Sequence, residues 1–249
     1  MTTTPALLLA HGAGGGIAAN FGPVLGALST GRRVLGADYP GAGDTPRSDA
    51  PLELDDLADR LIAEADAAGL DRFALCGYSL GTAVAVRAAA RHPGRVTALV
   101  LTAGFAYADH ATRQTAILWR ELHATGQYEL LGRLMLPVCL SPGALNALSD
   151  EELTAAVRAT GETTPPGSAD HADLVVRADV REDLAGLEVP TLVIVTTEDR
   201  LVPPHLQRDL AARLPHARVA ELATGHLPVV ETPDAWAALI TTFLDEVAA

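Results

Sequence analysis

The five residues Gly77-Tyr78-Ser79-Leu80-Gly81 constrain the fold of this chain more than any other stretch. The run before them, Arg72-Phe73-Ala74-Leu75-Cys76, is short and apolar and reads as a buried strand; the Ala-rich run after them, Thr82–Ala90, reads as a helix. Strand, Gly-x-Ser-x-Gly, helix is the pattern of a nucleophile elbow. The spacing has a steric origin. A serine raised on a sharp strand-to-helix turn occupies strained backbone, so the residues two before and two after it must be nearly free of side chain. Its hydroxyl then stands clear of the sheet. The helix N-terminus and the Leu80 N–H favour negative charge developing beside it.

From its start, the chain alternates short apolar runs with helical patterns. Ala6–Ala10 is a first strand, leading into the glycine-rich His11-Gly12-Ala13-Gly14-Gly15-Gly16. One reading of this loop is an oxyanion loop, in which an N–H from Ala13 or Gly14 joins that of Leu80. The other is a dinucleotide-binding turn with Asp38 as ribose acid. That turn needs a third glycine where Ile17 stands. His11 reads as a structural hydrogen-bonder within the loop.

A short helix follows over Asn20–Ser29, a strand over Arg33–Ala37, and an acidic helix carrying Leu54, Leu57, Leu61 and Ile62 ends near Gly69. The elbow and its helix come next, then a strand over Val96–Leu101. Strands apolar on both faces and alternating with helices indicate a parallel sheet covered on both sides.

From about Phe105 to Asp183 the alternation stops. Helical patterns around Thr112–His123, Glu129–Leu136 and Ser149–Thr160 take its place, the last opened by a Ser149-x-x-Glu152 capping box. Ile117, Leu118, Trp119, Leu122, Leu130, Leu131, Leu134, Met135 and Val138 mark this segment as a helical lid, with some residues lining a greasy pocket. The alternation resumes with strands at Thr191–Val195 and Arg218–Leu222. An amphipathic helix bearing Trp236, Leu239, Ile240 and Phe243 closes the chain.

Composition removes several classes of function. With 31 acidic and 18 basic side chains, the 249 residues carry a formal net charge of −13. Such a surface repels phosphate backbones and anionic lipid, which argues against nucleic-acid and membrane partners. Every basic side chain is arginine, so a lysine Schiff base, a Ser-Lys dyad and a P-loop lysine are closed to this chain. Cys76 and Cys139 make no disulfide framework, and no HExxH, paired CxxC or calcium loop is present. Neither a metal nor a cofactor is implied. No apolar run approaches the ~18 residues needed to span a bilayer. Met1-Thr2-Thr3-Thr4-Pro5 lacks the basic start and long apolar run of a secretory signal, so a cytoplasmic protein is expected.

Three side chains stand in loops just after parallel strands: Ser79, Asp199 and His226. A serine hydroxyl needs an imidazole to take its proton, and the imidazole needs an acid to fix its tautomer. Loops at the carboxyl ends of parallel strands converge on one sheet edge, so residues far apart in sequence meet there. Each position has a rival reading. Asp199 could cap the helix that opens near Pro203, and Glu198 is a competing acid. His205 and His216 compete as bases, although one starts a helix and the other sits at the opposite sheet edge.

In these features the sequence resembles the α/β-hydrolase superfamily over essentially its whole length. The matching pieces are His11-Gly12 with its glycines, the Gly77–Gly81 elbow, Asp199 before Val202-Pro203, and Gly225-His226. The order Ser, Asp, His is the one this superfamily uses. The resemblance implies Ser79 as nucleophile, His226 as general base and then acid, and Asp199 as its orienting partner. It implies oxyanion N–H groups from Leu80 and Ala13, with Gly14 as the fallback. Tyr78 and Trp119 are the candidate substrate-binding residues.

The implied architecture is an α/β-hydrolase fold of about six mostly parallel strands flanked by helices. The core would span residues 1–104 and 184–249, with a helical lid over 105–183. One departure stands out: only five residues precede the first strand, leaving no room for the superfamily's usual N-terminal hairpin. Serine rather than aspartate at the elbow disfavours haloalkane dehalogenase and epoxide hydrolase chemistry.

The function expected first is hydrolysis of a small, largely apolar ester, thioester or lactone through a Ser79 acyl-enzyme. Arg113, Arg120 and Arg133 in the lid are candidates to anchor a substrate carboxylate, although arginines on lid helices are usually solvated. The alternative is a lyase or cyclase using the same residues without net hydrolysis, in specialised metabolism. A third reading is a non-enzymatic ligand receptor.

Overall fold

The computed structural model describes residues 6–248 and contains one six-stranded sheet. Its strands are β1 (Ala6–Ala10), β2 (Val34–Gly36), β3 (Phe73–Tyr78), β4 (Val96–Thr102), β5 (Thr191–Thr196) and β6 (Ala217–Leu222). They lie in the order β2-β1-β3-β4-β5-β6, and every pairing is parallel. The continuous apolar runs have the expected cause. Every residue of β1, β3 and β5 is buried, because helices cover both faces. The expectation about the five residues before β1 lies outside the described residues.

Along the core run α1 (Ile17–Leu28), α2 (Leu54–Ala67) and α3 (Leu80–Arg91). Between β4 and β5 come α4 (His110–Ala124), α5 (Tyr128–Cys139), α6 (Pro142–Asn146), α7 (Asp150–Glu162), α8 (Ser168–Arg177) and α9 (Arg181–Leu184). The chain closes with α10 (Pro204–Ala212), α11 (Pro228–Glu231) and α12 (Pro233–Ala248). Alternation along the strands divides the core in two. Leu7, Leu9, Cys76, Val100 and Ile194 pack with Phe21 of α1 and with Trp236 and Ile240 of α12. Leu8, Leu75, Leu99, Val193 and Val195 pack with α2, α3 and α10.

The strand order positions the site. After β1 the chain steps outward to β2, then returns across β1 to β3, so α1 and α2 lie on opposite faces. Connections that diverge in this way open a crevice at the carboxyl ends of β1 and β3. The glycine loop and Ser79 follow those two strands. Helix α1 starts at Ile17, three residues before the expected Asn20, because Asp38 Oδ1 accepts the Ile17 N–H at 2.7 Å. Asp38 therefore serves as a cap for this helix, borrowed from the loop after β2.

The excursion between β4 and β5 leaves and rejoins the sheet at neighbouring points. Tyr107 and Asp179 form an isolated antiparallel bridge, and Ala106 C=O accepts the Val180 N–H at 2.9 Å. Within it α4 packs on α8 and α5 on α7. The capping box at α7 forms as the spacing predicts, with Glu152 accepting the Ser149 N–H at 2.8 Å. Helix α8 was not expected, since Ser168–Arg177 mixes polar and small residues around its few apolar ones. Among the described residues no helix is long and apolar enough to cross a membrane.

The elbow shows why its glycines are needed. Ser79 sits at φ 53° and ψ −122°, a region that non-glycine residues rarely enter. A Cβ on Gly81 would strike the carbonyls of Ala10 and His11, and one on Gly77 would strike the backbone of Gly81 and Thr82. These are backbone neighbours that cannot rotate away. Gly81→Ala should therefore lower stability by about 3 kcal/mol, the upper part of the overpacking range. A fall in the urea midpoint at unchanged slope is the expected measurement.

Candidate active site

Ser79 is the first residue beyond β3, and its backbone is held on both sides. Its N–H donates to Thr102 C=O at 2.9 Å, and its own C=O accepts from the Thr82 N–H and hydroxyl at 2.9 and 2.7 Å. His226 stands in the loop after β6, with Nε2 2.9 Å from Ser79 Oγ. Its Nδ1 is 2.7 Å from Asp199 Oδ2. A carboxylate only accepts, so Nδ1 carries the proton and Nε2 presents its lone pair to the serine hydroxyl. The tautomer is thus set by the acid.

Asp199 follows β5 and is almost wholly enclosed. Oδ1 accepts the N–H groups of Leu201 and Val202, both at 2.9 Å. Oδ2 accepts from the Thr196 hydroxyl at 2.9 Å and from Gln207 Nε2 at 3.2 Å, beside His226. Five donors fix the carboxylate in one orientation. Gln207 of α10, fully buried, also accepts the Thr196 N–H at 2.9 Å and donates to Val202 C=O at 2.7 Å. It was not singled out from the sequence, where a glutamine inside a helix gives no signal.

The histidine backbone is fastened by three other segments. His226 N–H donates to Cys139 C=O at 2.7 Å, and its own C=O accepts the Tyr78 hydroxyl at 2.7 Å. Glu231 Oε1 bridges the N–H groups of Gly225 and Ser141, each at 3.0 Å. Burial holds the Tyr78 phenol well above its usual pKa, so it stays a neutral donor. The rival residues stand elsewhere. Glu198 is exposed, His205 pairs with Asp109, and His216 pairs with Glu188.

In the glycine loop, side chains claim the N–H groups on either side of Ala13. Asn20 Oδ1 accepts the Gly12 N–H at 2.8 Å, and His171 Nδ1 accepts the Gly14 N–H at 3.2 Å. Among the described residues neither Ala13 N–H nor Leu80 N–H, the first of α3, has a protein acceptor. Gly14 is thereby a poorer fallback donor than the sequence suggests. His11 is structural: Nε2 accepts the Tyr39 N–H at 2.9 Å and Nδ1 donates to Gly12 C=O at 2.8 Å.

A cavity of about 300 Å³ opens beside Ser79 and His226. Phe105, Trp119, Leu131, Met135, Val175 and Leu227 give it an apolar wall. Trp119 and Tyr78 both line it, although each has its polar atom engaged, the indole N–H by Ser168 Oγ at 2.9 Å. Leu118 and Leu130 instead face solvent.

Of the two readings of the arginines, the structure favours the solvated one over the carboxylate anchor. Arg113 is exposed, Arg120 pairs with Glu121 and Asp173, and Arg133 pairs with Glu129; none reaches the cavity. Long charged side chains on these helices stay with water and with acids nearby. Among the described residues no arginine, aspartate or glutamate lines the cavity. Cys139 does line it, but burial raises its thiol pKa far above the usual range, so it is no rival nucleophile.

His11 makes the loop acid-sensitive. Desolvation by burial lowers its pKa from 6.5 to about 3. Below 6.5 the unfolded chain binds a proton that the folded chain refuses, so stability present at neutral pH is lost as pH falls towards 3. Unfolding free energy should decline by up to about 1.4 kcal/mol per pH unit across that window. Urea titrations between pH 7 and 4 measure it, and His11→Asn should flatten the slope.

The sequence model of the alpha/beta hydrolase fold matches residues 5–233. A pyrrolizixenacetamide deacetylase of Xenorhabdus hominickii is 33% identical, over 96% of this chain and 91% of its own length. A pimeloyl-[acyl-carrier protein] methyl ester esterase of Neisseria meningitidis is 28% identical, over 86% of this chain and 69% of its own. The crystal structure of the enol-lactonase of Burkholderia xenovorans LB400 superposes with a TM-score of 0.86 at 26% identity, covering 97% of this chain and 92% of that one. A family match across nearly the whole chain and relatives named as hydrolases agree with the sheet and its crevice: the protein belongs to the α/β-hydrolase family and is a hydrolase.

Proposed function

We propose that the protein cleaves a small, largely apolar ester, thioester or lactone through an acyl-enzyme on Ser79, with His226 and Asp199 completing a catalytic triad. The observation that carries this reading is the unbroken hydrogen-bond chain from Ser79 Oγ through the His226 ring to Asp199, opening on an apolar cavity. The relatives' names support it, since an acetamide, a methyl ester and an enol-lactone all present a carbonyl carbon to a nucleophile.

In the first half-reaction Ser79 Oγ bonds to the substrate carbonyl carbon while its proton passes to His226 Nε2. The carbonyl oxygen becomes an oxyanion, received by the N–H groups of Ala13 and Leu80 at the mouth of the crevice and the start of α3. Asp199 keeps the imidazole aligned and stabilises its charged form. The intermediate collapses, the bond to the leaving group breaks, and His226 returns the proton to that group. Water then repeats the sequence on the acyl-enzyme, giving the acid and restoring Ser79. Residues 105–183 serve as the lid, with Trp119, Leu131 and Met135 forming the apolar roof over the acyl group.

Intact mass after incubation with a fluorophosphonate tests the nucleophile. One adduct mapping to Ser79 and absent from Ser79→Ala is expected. A folded protein that takes no adduct would move the assignment to the lyase or cyclase reading.

The wall of the cavity predicts a preference. Burial of each methylene contributes about 0.8 kcal/mol, so kcat/KM for p-nitrophenyl esters should rise about fourfold per carbon until the cavity is full. An ω-carboxylate on the same acyl chain should reverse that gain, because no arginine among the described residues lines the cavity to meet it. Equal rates for the neutral and carboxylated esters would overturn this account of specificity.

A further inference from the structure

Three successive N–H groups, those of Gly12, Ala13 and Gly14, lie along the loop after β1, and the structure gives acceptors to the outer two. One acceptor, Asn20, comes from α1 nearby. The other, His171, comes from α8 in the excursion between β4 and β5, 157 residues away in sequence. His171 is fully buried and is not among the residues lining the cavity. Its Nδ1 accepts the Gly14 N–H, so the ring proton is on Nε2, which donates to Pro40 C=O at 3.0 Å. One neutral ring thus ties α8 to the loop after β1 and to the loop after β2.

The surroundings of Gly14 are built for this contact. Gly14 has φ +66°, and a Cβ there would run into the Trp119 ring and come within 3.1 Å of Ser168 Oγ. Ser168 is three residues before His171 on α8, so both face the loop from one side of the helix. Trp119 donates its indole N–H to Ser168. Gly14 is enclosed by Trp119, Ser168 and His171, all supplied by the excursion.

We propose that His171 is a positioning residue for the oxyanion donor: by taking the Gly14 N–H from above, it holds the glycine loop so that Ala13 N–H remains the free donor facing the reacting carbonyl. The proposal rests on the triad reading of the preceding subsection. Without His171, two adjacent N–H groups compete for one oxyanion, on a loop whose next two residues are also glycine. A donor lost outright costs about 10²–10³ in kcat, and a displacement of about 1 Å costs up to about 10². Freeing the loop lies below either limit. The oxyanion is absent from the bound ester and forms only in the tetrahedral intermediate and the transition states beside it, so the loss belongs to kcat and leaves KM in place.

The experiment is steady-state kinetics with p-nitrophenyl butyrate on His171→Leu and His171→Asn, beside wild type and Ser79→Ala, with melting temperatures for each. Leucine fills the space without an acceptor, whereas the asparagine carbonyl oxygen falls near the place of Nδ1. The expected result is a roughly tenfold lower kcat for His171→Leu with KM within about twofold, and recovery of most of that loss in His171→Asn. If His171→Leu does not fold, His171→Gln takes its place, because its acceptor lies one atom further along and should miss Gly14. A folded His171→Leu with wild-type kcat would overturn the proposal, as would equal losses in both variants or a loss confined to KM. Turnover retained by Ser79→Ala would instead remove the triad reading and the proposal with it. The failure of one is therefore distinguishable from the failure of both.

Discussion

The close approach of helix α3 to the end of β1 is the constraint on which the rest of this molecule depends. At Gly81 the helix backbone lies against the carbonyls of Ala10 and His11, nearer than any side chain allows. That contact lets the turn after β3 be tight enough to hold Ser79 at positive φ, and it sets the elbow directly beside the glycine loop. Strain of this kind persists only where the surroundings over-determine it. Here they do so through bonds from Thr102 and Thr82 to the Ser79 backbone. The serine, the helix start behind it and the loop N–H groups across the crevice are then one rigid arrangement.

The segment between β4 and β5 is more than a cover for that arrangement. It lends backbone at Cys139, an imidazole at His171 and a hydroxyl at Ser168 to the loops of the sheet, while Trp119 and Met135 shape the cavity. Interactions of this type exclude water and fix geometry together. The neutrality of the cavity follows from the same layout: Arg113 is exposed, Arg120 is held by Glu121 and by Asp173 of α8, and Arg133 is held by Glu129.

Much of this was legible in the sequence because it depends on local rules. Strands buried on both faces leave continuous apolar runs, and β1, β3 and β5 were found that way. The elbow needs glycine at two fixed offsets, and Ser149-x-x-Glu152 closes a box within four residues. What escaped depends on contacts made at long range. Helix α1 begins at Ile17 because an aspartate 21 residues away reaches its first N–H. Helix α8 has too few apolar residues to announce itself, and the bonds of Glu231 to Ser141 and of His171 to Gly14 exist only once distant segments meet. Of the partners of Arg120 and Arg133, Glu121 and Glu129 lie within one helical turn, and only Asp173 on α8 is out of reach of local spacing.

Residue 139 carries two duties that chemistry keeps separate. Its carbonyl steadies His226, and its side chain forms part of the cavity wall. Every amino acid brings the same carbonyl, so the wall at this point can be rewritten by substitution while the histidine's anchor survives. Evolution can thus reshape the cavity at position 139 without first surrendering the hydrogen bond that holds His226.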